Sequence, residues 1–323
     1  MEPDMSNAHD FAIPLLQQSF IEFGVTLTAS VTVATGALYY LRRVRMERPP
    51  VGTFNGRDIV ILMTLIVVLP FLYAVMPSWL ITCFLAATFA ASLSIGYRQV
   101  VGALPVWLGI GVLLGGNIWE SHSMMGSVAG WQLWWVELDI LVLLGAIAVA
   151  NLYVQGGMRL QHVAWFGLAL AVYDVGASLG INVTAVLVEK FIGAPLDPTF
   201  GMRFNVNNYG IGIGDLLFYA LFVTASYKAF GRQAARLAFG VMLVFGAAAP
   251  ALIPLAVTLI DFRNDILIPS QAFFAPVAFL CYLWMKRRYG QERTMAEFRA
   301  STDSAVIPAP AAQPEPAPQP ASV

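Results

Sequence analysis

The stretch Gly210-Ile211-Gly212-Ile213-Gly214-Asp215-Leu216-Leu217-Phe218-Tyr219-Ala220-Leu221-Phe222-Val223 decides how this chain folds. Glycine recurs at every second position, a carboxylate follows, and an unbroken apolar run begins immediately after it. Extended to residue 229, the segment reaches the length needed to cross a bilayer, about 20 mainly apolar residues. A carboxyl inside such a segment costs at least ~2.5 kcal/mol in hydrocarbon, so its presence calls for a task or a partner. A second acid stands in the same situation upstream, at the end of Leu168-Ala169-Leu170-Ala171-Val172-Tyr173-Asp174.

The whole composition points the same way. Of 323 residues 58% are hydrophobic and only 11% charged, against about 25% charged in a soluble domain. So few charges cannot coat a globule of this size, and lipid must cover much of the surface. The expectation is an all-α, multi-pass membrane protein. A formal net charge of -1 and the lack of a basic stripe give no indication of nucleic acid. Cys83 and Cys281 lie in apolar segments, where a thiol behaves as a small hydrophobe and implies no disulfide framework. The start, Met1 to Ser6, is acidic and does not read as a cleavable signal peptide.

Working outward, the apolar segments predict nine spans, at 20–41, 58–76, 79–96, 100–118, 132–154, 160–181, 210–229, 234–260 and 266–286. The eighth contains Pro250 and Pro254 and is expected to break there. Basic residues gather in alternate loops: Arg42, Arg43, Arg45, Arg48 and Arg57, then Arg98, Arg159, Lys228, Arg232 and Arg236, and finally Lys286, Arg287 and Arg288. The opposite loops hold Lys190, Arg203 and Arg263, offset by Glu189, Asp197, Asp261 and Asp265. The positive-inside rule then places the N-terminus outside and the C-terminus in the cytoplasm. Residues 1–155 read as an N-terminal bundle of five spans, 156–290 as the four helices that carry both aspartates, and 291–323 as a disordered Pro/Ala-rich cytoplasmic tail. Trp107, Trp119, Trp131, Trp134 and Trp135 crowd the connection between the fourth and fifth spans, as an interfacial belt would.

Depth brings the two acids together. If the sixth helix ends near Gly180 and Asn182, Asp174 lies about seven residues, or ~10 Å of helix rise, from that end. Asp215 is about six residues into the seventh span from the same side, so the two carboxyls reach similar depths on consecutive helices. Two such carboxyls in a low-dielectric site share one proton and titrate as a pair. The ionised partner can take a proton from water attacking a peptide carbonyl, and the protonated partner can donate to the carbonyl oxygen. The same pair could also serve as interhelical hydrogen bonders or as a proton or cation relay. The strip Asn205 to Gly212, polar and glycine-rich, is expected to be extended and to offer backbone groups for pairing with an unwound substrate. Glu137 and Asp139 near the start of the fifth span, like Glu22 and Asp58, are expected to reach water. His9, His122 and His162 are dispersed and form no His-Glu-x-x-His motif, Ser178 has no histidine downstream, and no phosphate-binding glycine loop is present. No metal or cofactor is called for.

Gly212-Ile213-Gly214-Asp215 with the following Phe218-Tyr219, and Tyr173-Asp174 on the preceding span, resemble the Gly-x-Gly-Asp and Tyr-Asp elements of the presenilin and signal peptide peptidase family. The resemblance covers roughly residues 165–255, and the first five spans are similar only in number and hydropathy. Prepilin peptidases also carry Gly-x-Gly-Asp, but with a lysine where this chain has Leu217. Membership would imply a nine-helix intramembrane protease fold, with Asp174 and Asp215 as the catalytic pair. Tyr173, Gly212 and Gly214 would lie at the substrate, together with Pro250-Ala251-Leu252, which is similar to the family's Pro-Ala-Leu element. In the family that element opens the ninth helix, whereas here it falls in the eighth span, so the stretch Pro269 to Pro276 is the alternative. The implied partners are the bilayer and the transmembrane segments of other proteins or signal peptides. A proton-coupled secondary transporter using the same acids is the competing reading, although the paired interrupted helices of such carriers are missing from the sequence.

Overall fold

The computed structural model describes residues 8–46, 55–177, 187, 190–191, 194–204, 207–253, 256 and 269–305. The helices are α1 (Ala8–Arg43), α2 (Gly56–Val75), α3 (Ser78–Val101), α4 (Ala103–Ser123), α5 (Val128–Gln155), α6 (Leu160–Gly176), α7 (Ile213–Phe230), α8 (Arg232–Ile253), α9 (Ser270–Tyr289) and α10 (Met295–Ala300). Seven of them are long and apolar enough to cross a membrane: α1 from Ser19, then α2 to α5, α7 and α8. The chain is therefore a predominantly helical, multi-pass membrane protein. The sixth and ninth expected spans correspond to α6 and α9; α9 begins on Ser270 and Gln271 and ends on Lys286, Arg287 and Arg288. Residues 178–181, 254–255, 257–260 and 266–268 of the expected spans lie outside the described residues.

One element departs from the all-helical expectation. β1 (Thr199–Phe204) and β2 (Asn207–Gly212) form an antiparallel hairpin in which Thr199 faces Gly212 and Gly201 faces Gly210. The hairpin packs on α1 and α5 and runs straight into α7. Residues 205–206 lie outside the described residues, but the strip from Asn207 to Gly212 is extended, in keeping with its glycine content.

Burial decides which helix is central. Nearly every residue of α7 from Leu216 to Ala229 is buried, while α2 buries none. A helix hydrophobic on all sides belongs either in a packed interior or in lipid; α7 is the first case and α2 the second. α7 is enclosed by α1, α5, α6, α8 and α9. Phe274 of α9 fills the seam, with ring centroids 5.4 Å from Phe218, 4.8 Å from Tyr219 and 5.7 Å from Phe222. Gly167 makes this approach possible, because a Cβ there would collide with the Phe218 ring. Trp134 is fully buried and packs 5.4 Å from Trp131, so it belongs to the core and not to an interfacial belt; Trp107 and Trp119 remain exposed.

Part of the expected disordered tail is structured. Residues 291–305 are built into the arginine-bearing end of the bundle. Thr294 and Glu297 form a reciprocal capping box that starts α10, and Phe298 is fully buried against Tyr227. Arg293 donates to the terminal carbonyls of α7, Tyr227 O at 3.0 Å and Lys228 O at 3.1 Å, and pairs with Asp303 at 2.8 Å. Glu292 accepts from the first N–H groups of α6, Leu160 at 2.9 Å and Gln161 at 3.0 Å. These contacts satisfy orphan groups at two helix ends at once, which is why the segment is held in place; residues 306–323 lie outside the described residues. Burial holds the Glu292 carboxyl above the usual carboxylate range, against the opposing pull of those two N–H groups and of Lys228. Glu292→Ala leaves two donors unmet and is expected to cost about 1–2 kcal/mol, the worth of a helix cap. Denaturant unfolding in detergent measures this, and an unchanged midpoint would show that the cap carries no stability.

Candidate active site

Asp174 lies in the last turn of α6 and Asp215 in the first turn of α7. The two helices that carry them pack together. Both are half-buried. The depth matching expected from segment boundaries corresponds to acids at the end of one helix and the start of another that packs on it.

The local architecture explains how Asp215 is held. Gly212 ends β2 and serves as the N-cap of α7, so the chain passes from extended to helical within three residues of the acid. First-turn positions favour negative charge because the unpaired N–H groups of the helix end point toward them. A Cβ on Gly212 would stand 3.9 Å from Asp215 Oδ2, in ordinary van der Waals contact with the carboxyl. Gly214 is exposed on the same turn.

The hairpin that delivers Gly212 is itself fastened by polar side chains. Asp197, buried, accepts from the backbone N–H of Thr199 at 3.1 Å and from its hydroxyl at 2.7 Å. Asn117, also buried, donates to Trp134 O at 3.0 Å and accepts from Leu196 N–H at 2.9 Å, holding Leu196 at a left-handed φ of 60°. Asp139 accepts from Gly201 N–H at 2.9 Å. Its position near a helix start predicts a solvated carboxylate; it instead anchors β1 to α5.

The third side chain at the site belongs to none of the sequence motifs. Gln271 is fully buried, and its Nε2 donates to Asp215 Oδ1 at 2.6 Å. Its Oε1 has no partner among the described residues. The buried hydroxyl of Ser270 next to it lies near Asp215 and Tyr219. Tyr219, one turn along α7, donates to Gly246 O at 2.8 Å. Gly246 belongs to the π-helical turn Met242–Ala248 of α8, and a side chain there would strike the Tyr219 ring at 2.9 Å. The break expected at Pro250 does not occur: helix α8 continues to Ile253 and carries Pro250, buried Ala251 and partly exposed Leu252 within it, while Pro254 lies outside the described residues. The contact with Asp215 comes from Gln271, just after Pro269, at the start of α9. Tyr173, half-buried, precedes Asp174 on α6.

A polar residue following a proline at the start of an apolar span is the available signal for Gln271. Weighing only the acids as candidates passes over it. The candidate site holds Asp215 with the Gln271 carboxamide on it, Asp174 at the end of the neighbouring helix α6, a strand leading into Asp215, and glycines without side chains at 210 and 212 on the strand and at 214 in the first turn of α7. Compared with known proteins, the chain matches no family model, no curated protein and no solved structure.

Proposed function

We propose that this protein is an intramembrane aspartyl protease, of the presenilin and signal peptide peptidase kind, that hydrolyses peptide bonds within transmembrane segments of other proteins or signal peptides. The observation that carries this reading is the placement of Asp174 in the last turn of α6 and of Asp215 in the first turn of α7, two helices that pack together. Asp215, at a helix N-terminus and receiving the Gln271 amide, is the seat for the negative charge, and Asp174 then holds the shared proton. Asp215 takes a proton from a water that attacks the scissile carbonyl, while Asp174 donates to the carbonyl oxygen, giving a tetrahedral diol. The returning proton goes to the amine as the C–N bond breaks.

Two further features support the reading. β2 belongs to a two-stranded sheet whose outer edges can pair with an unwound substrate segment, directly beside Asp215. An apolar groove of about 530 Å³ between α2 and α6, lined by Val60, Met63, Val67, Trp165 and Phe166, offers a lateral approach toward the helix that bears Asp174. In this reading α6 and α9 also cross the bilayer, completing nine spans, and Tyr173, Gly212, Gly214 and the Pro250–Leu252 turn border the substrate.

Cleavage of a synthetic transmembrane peptide by the purified protein is expected to follow a bell-shaped pH profile, because activity needs one proton on the pair, neither two nor none. A peptide whose scissile amide is replaced by a secondary hydroxyl, mimicking the diol, should inhibit at least about a hundredfold more tightly than the substrate binds. A flat profile, or no preference for the hydroxyl, would remove the dyad from the chemistry. On the arginine distribution this reading takes the N-terminus as outside, and substrates would then enter with their N-termini cytoplasmic. With Cys83 and Cys281 replaced by alanine, a cysteine at Ser6 should react with an impermeant thiol reagent on intact cells and one at Ser322 should not. The reverse pattern would invert the assignment.

A further inference from the structure

At the arginine-bearing end of the bundle, α1 and α8 do not close on one another. Gly231, at φ 87°, turns the chain sharply between α7 and α8, and α8 first meets α1 substantially at its π-helical turn. The preceding wedge is a groove of about 550 Å³. Its floor and walls are Thr35, Leu38 and Tyr39 from α1 with Ala235 and Phe239 from α8, and its rim carries Arg42, Arg232 and Arg236.

Among the described residues no ion pair engages any of those three guanidiniums. Arg232 and Arg236 stand one turn apart on the exposed face of α8, a like-charge spacing that costs stability if nothing neutralises it. Arg42 faces them, its Nε donating at 3.3 Å to the backbone carbonyl of Asp303. The nearby acid, Asp303, packs against Gly231 but already pairs with Arg293 at 2.8 Å. The groove thus joins a cationic rim, unpaired among the described residues, to an apolar trough between α1 and α8.

We propose that this groove binds an anionic phospholipid, its phosphodiester held by Arg42, Arg232 and Arg236 and an acyl chain laid along Leu38, Ala235 and Phe239. Guanidinium matches a phosphodiester in charge and in bidentate geometry, and basic pockets between membrane helices at the headgroup level recognise such lipids. A zwitterionic lipid would set its own cation against the same rim. The site is independent of the carboxyl pair and of the protease reading. It also places a lipid across α1 and α8, two of the helices that enclose α7.

Native mass spectrometry of the intact protein, released from detergent containing equal phosphatidylglycerol and phosphatidylcholine, tests it. The protein should retain phosphatidylglycerol preferentially. The double variant Arg232→Gln/Arg236→Gln should lose that retention about thirtyfold, from two surface arginines beside an anionic headgroup. The charge-matched variant Arg287→Gln/Arg288→Gln, altered at the exposed end of α9, should retain it as the wild type does. Equal retention of the two lipids, equal loss in both double variants, or displacement by inorganic phosphate as readily as by added lipid would each overturn the proposal.

Discussion

Replacing either Asp174 or Asp215 with asparagine is expected to lower cleavage of a transmembrane peptide by at least about a hundredfold, the contribution of one positioned acid or base. The two losses should not add, because a pair sharing one proton acts as a unit and the double variant falls little further than either single one. Asparagine preserves volume and can still hydrogen-bond. The folded protein should therefore accumulate normally, and the effect should appear in kcat more than in KM. Variants that cleave at the wild-type rate would detach both acids from the reaction and return them to the role of interhelical hydrogen bonders. Retained cleavage by Asp174→Asn alone would leave Asp215 acting with some other group.

Gln271→Leu is expected to reduce kcat by about 10- to 100-fold, the equivalent of losing a 1.5–3 kcal/mol hydrogen bond to a charged group. The Gln271 amide can serve both protonation states of its neighbour. Nε2 donates to the carboxylate, as it does here at 2.6 Å, and a half-turn of the amide presents the unpartnered Oε1 to a protonated Asp215. Leucine keeps most of the volume and removes both functions. The readout that separates positioning from packing is the pH profile: its limbs should move in Gln271→Leu, with KM little changed. A variant with normal kcat and an unmoved profile would reduce Gln271 to filler.

Much of this is legible in the chain, and the misses have physical causes. Hydropathy locates the membrane helices because about 20 apolar residues in succession rarely suit any environment but a bilayer. The two acids stand out by the same logic, as expensive groups in apolar runs. The hairpin is harder to read. Glycine at residues 210, 212 and 214 has the two-residue period of a strand, but glycine also packs helices closely, and only the expectation of an extended strip captures part of it. Asp139 looks solvated because its sequence position is near a helix start, whereas its partner, Gly201, is far away along the chain. Trp134 reads with its neighbours as a belt, although one face of α5 turns inward and buries it. The packed segment 291–305 is hidden by averaging composition over a long tail, yet Thr294, Glu297 and Phe298 spell a capped, anchored turn. Pro250-Ala251-Leu252 draws attention as a pattern, while the contact that reaches Asp215 comes from Gln271, a residue no pattern singles out.

The most direct measurement of the central claim is mass spectrometry of a transmembrane peptide incubated with the purified protein. The predicted result is two fragments whose masses sum to the peptide plus one water, cut within its apolar stretch, and absent when Asp215→Asn replaces the wild type. An intact peptide, or the same two fragments from the Asp215→Asn protein, would contradict it.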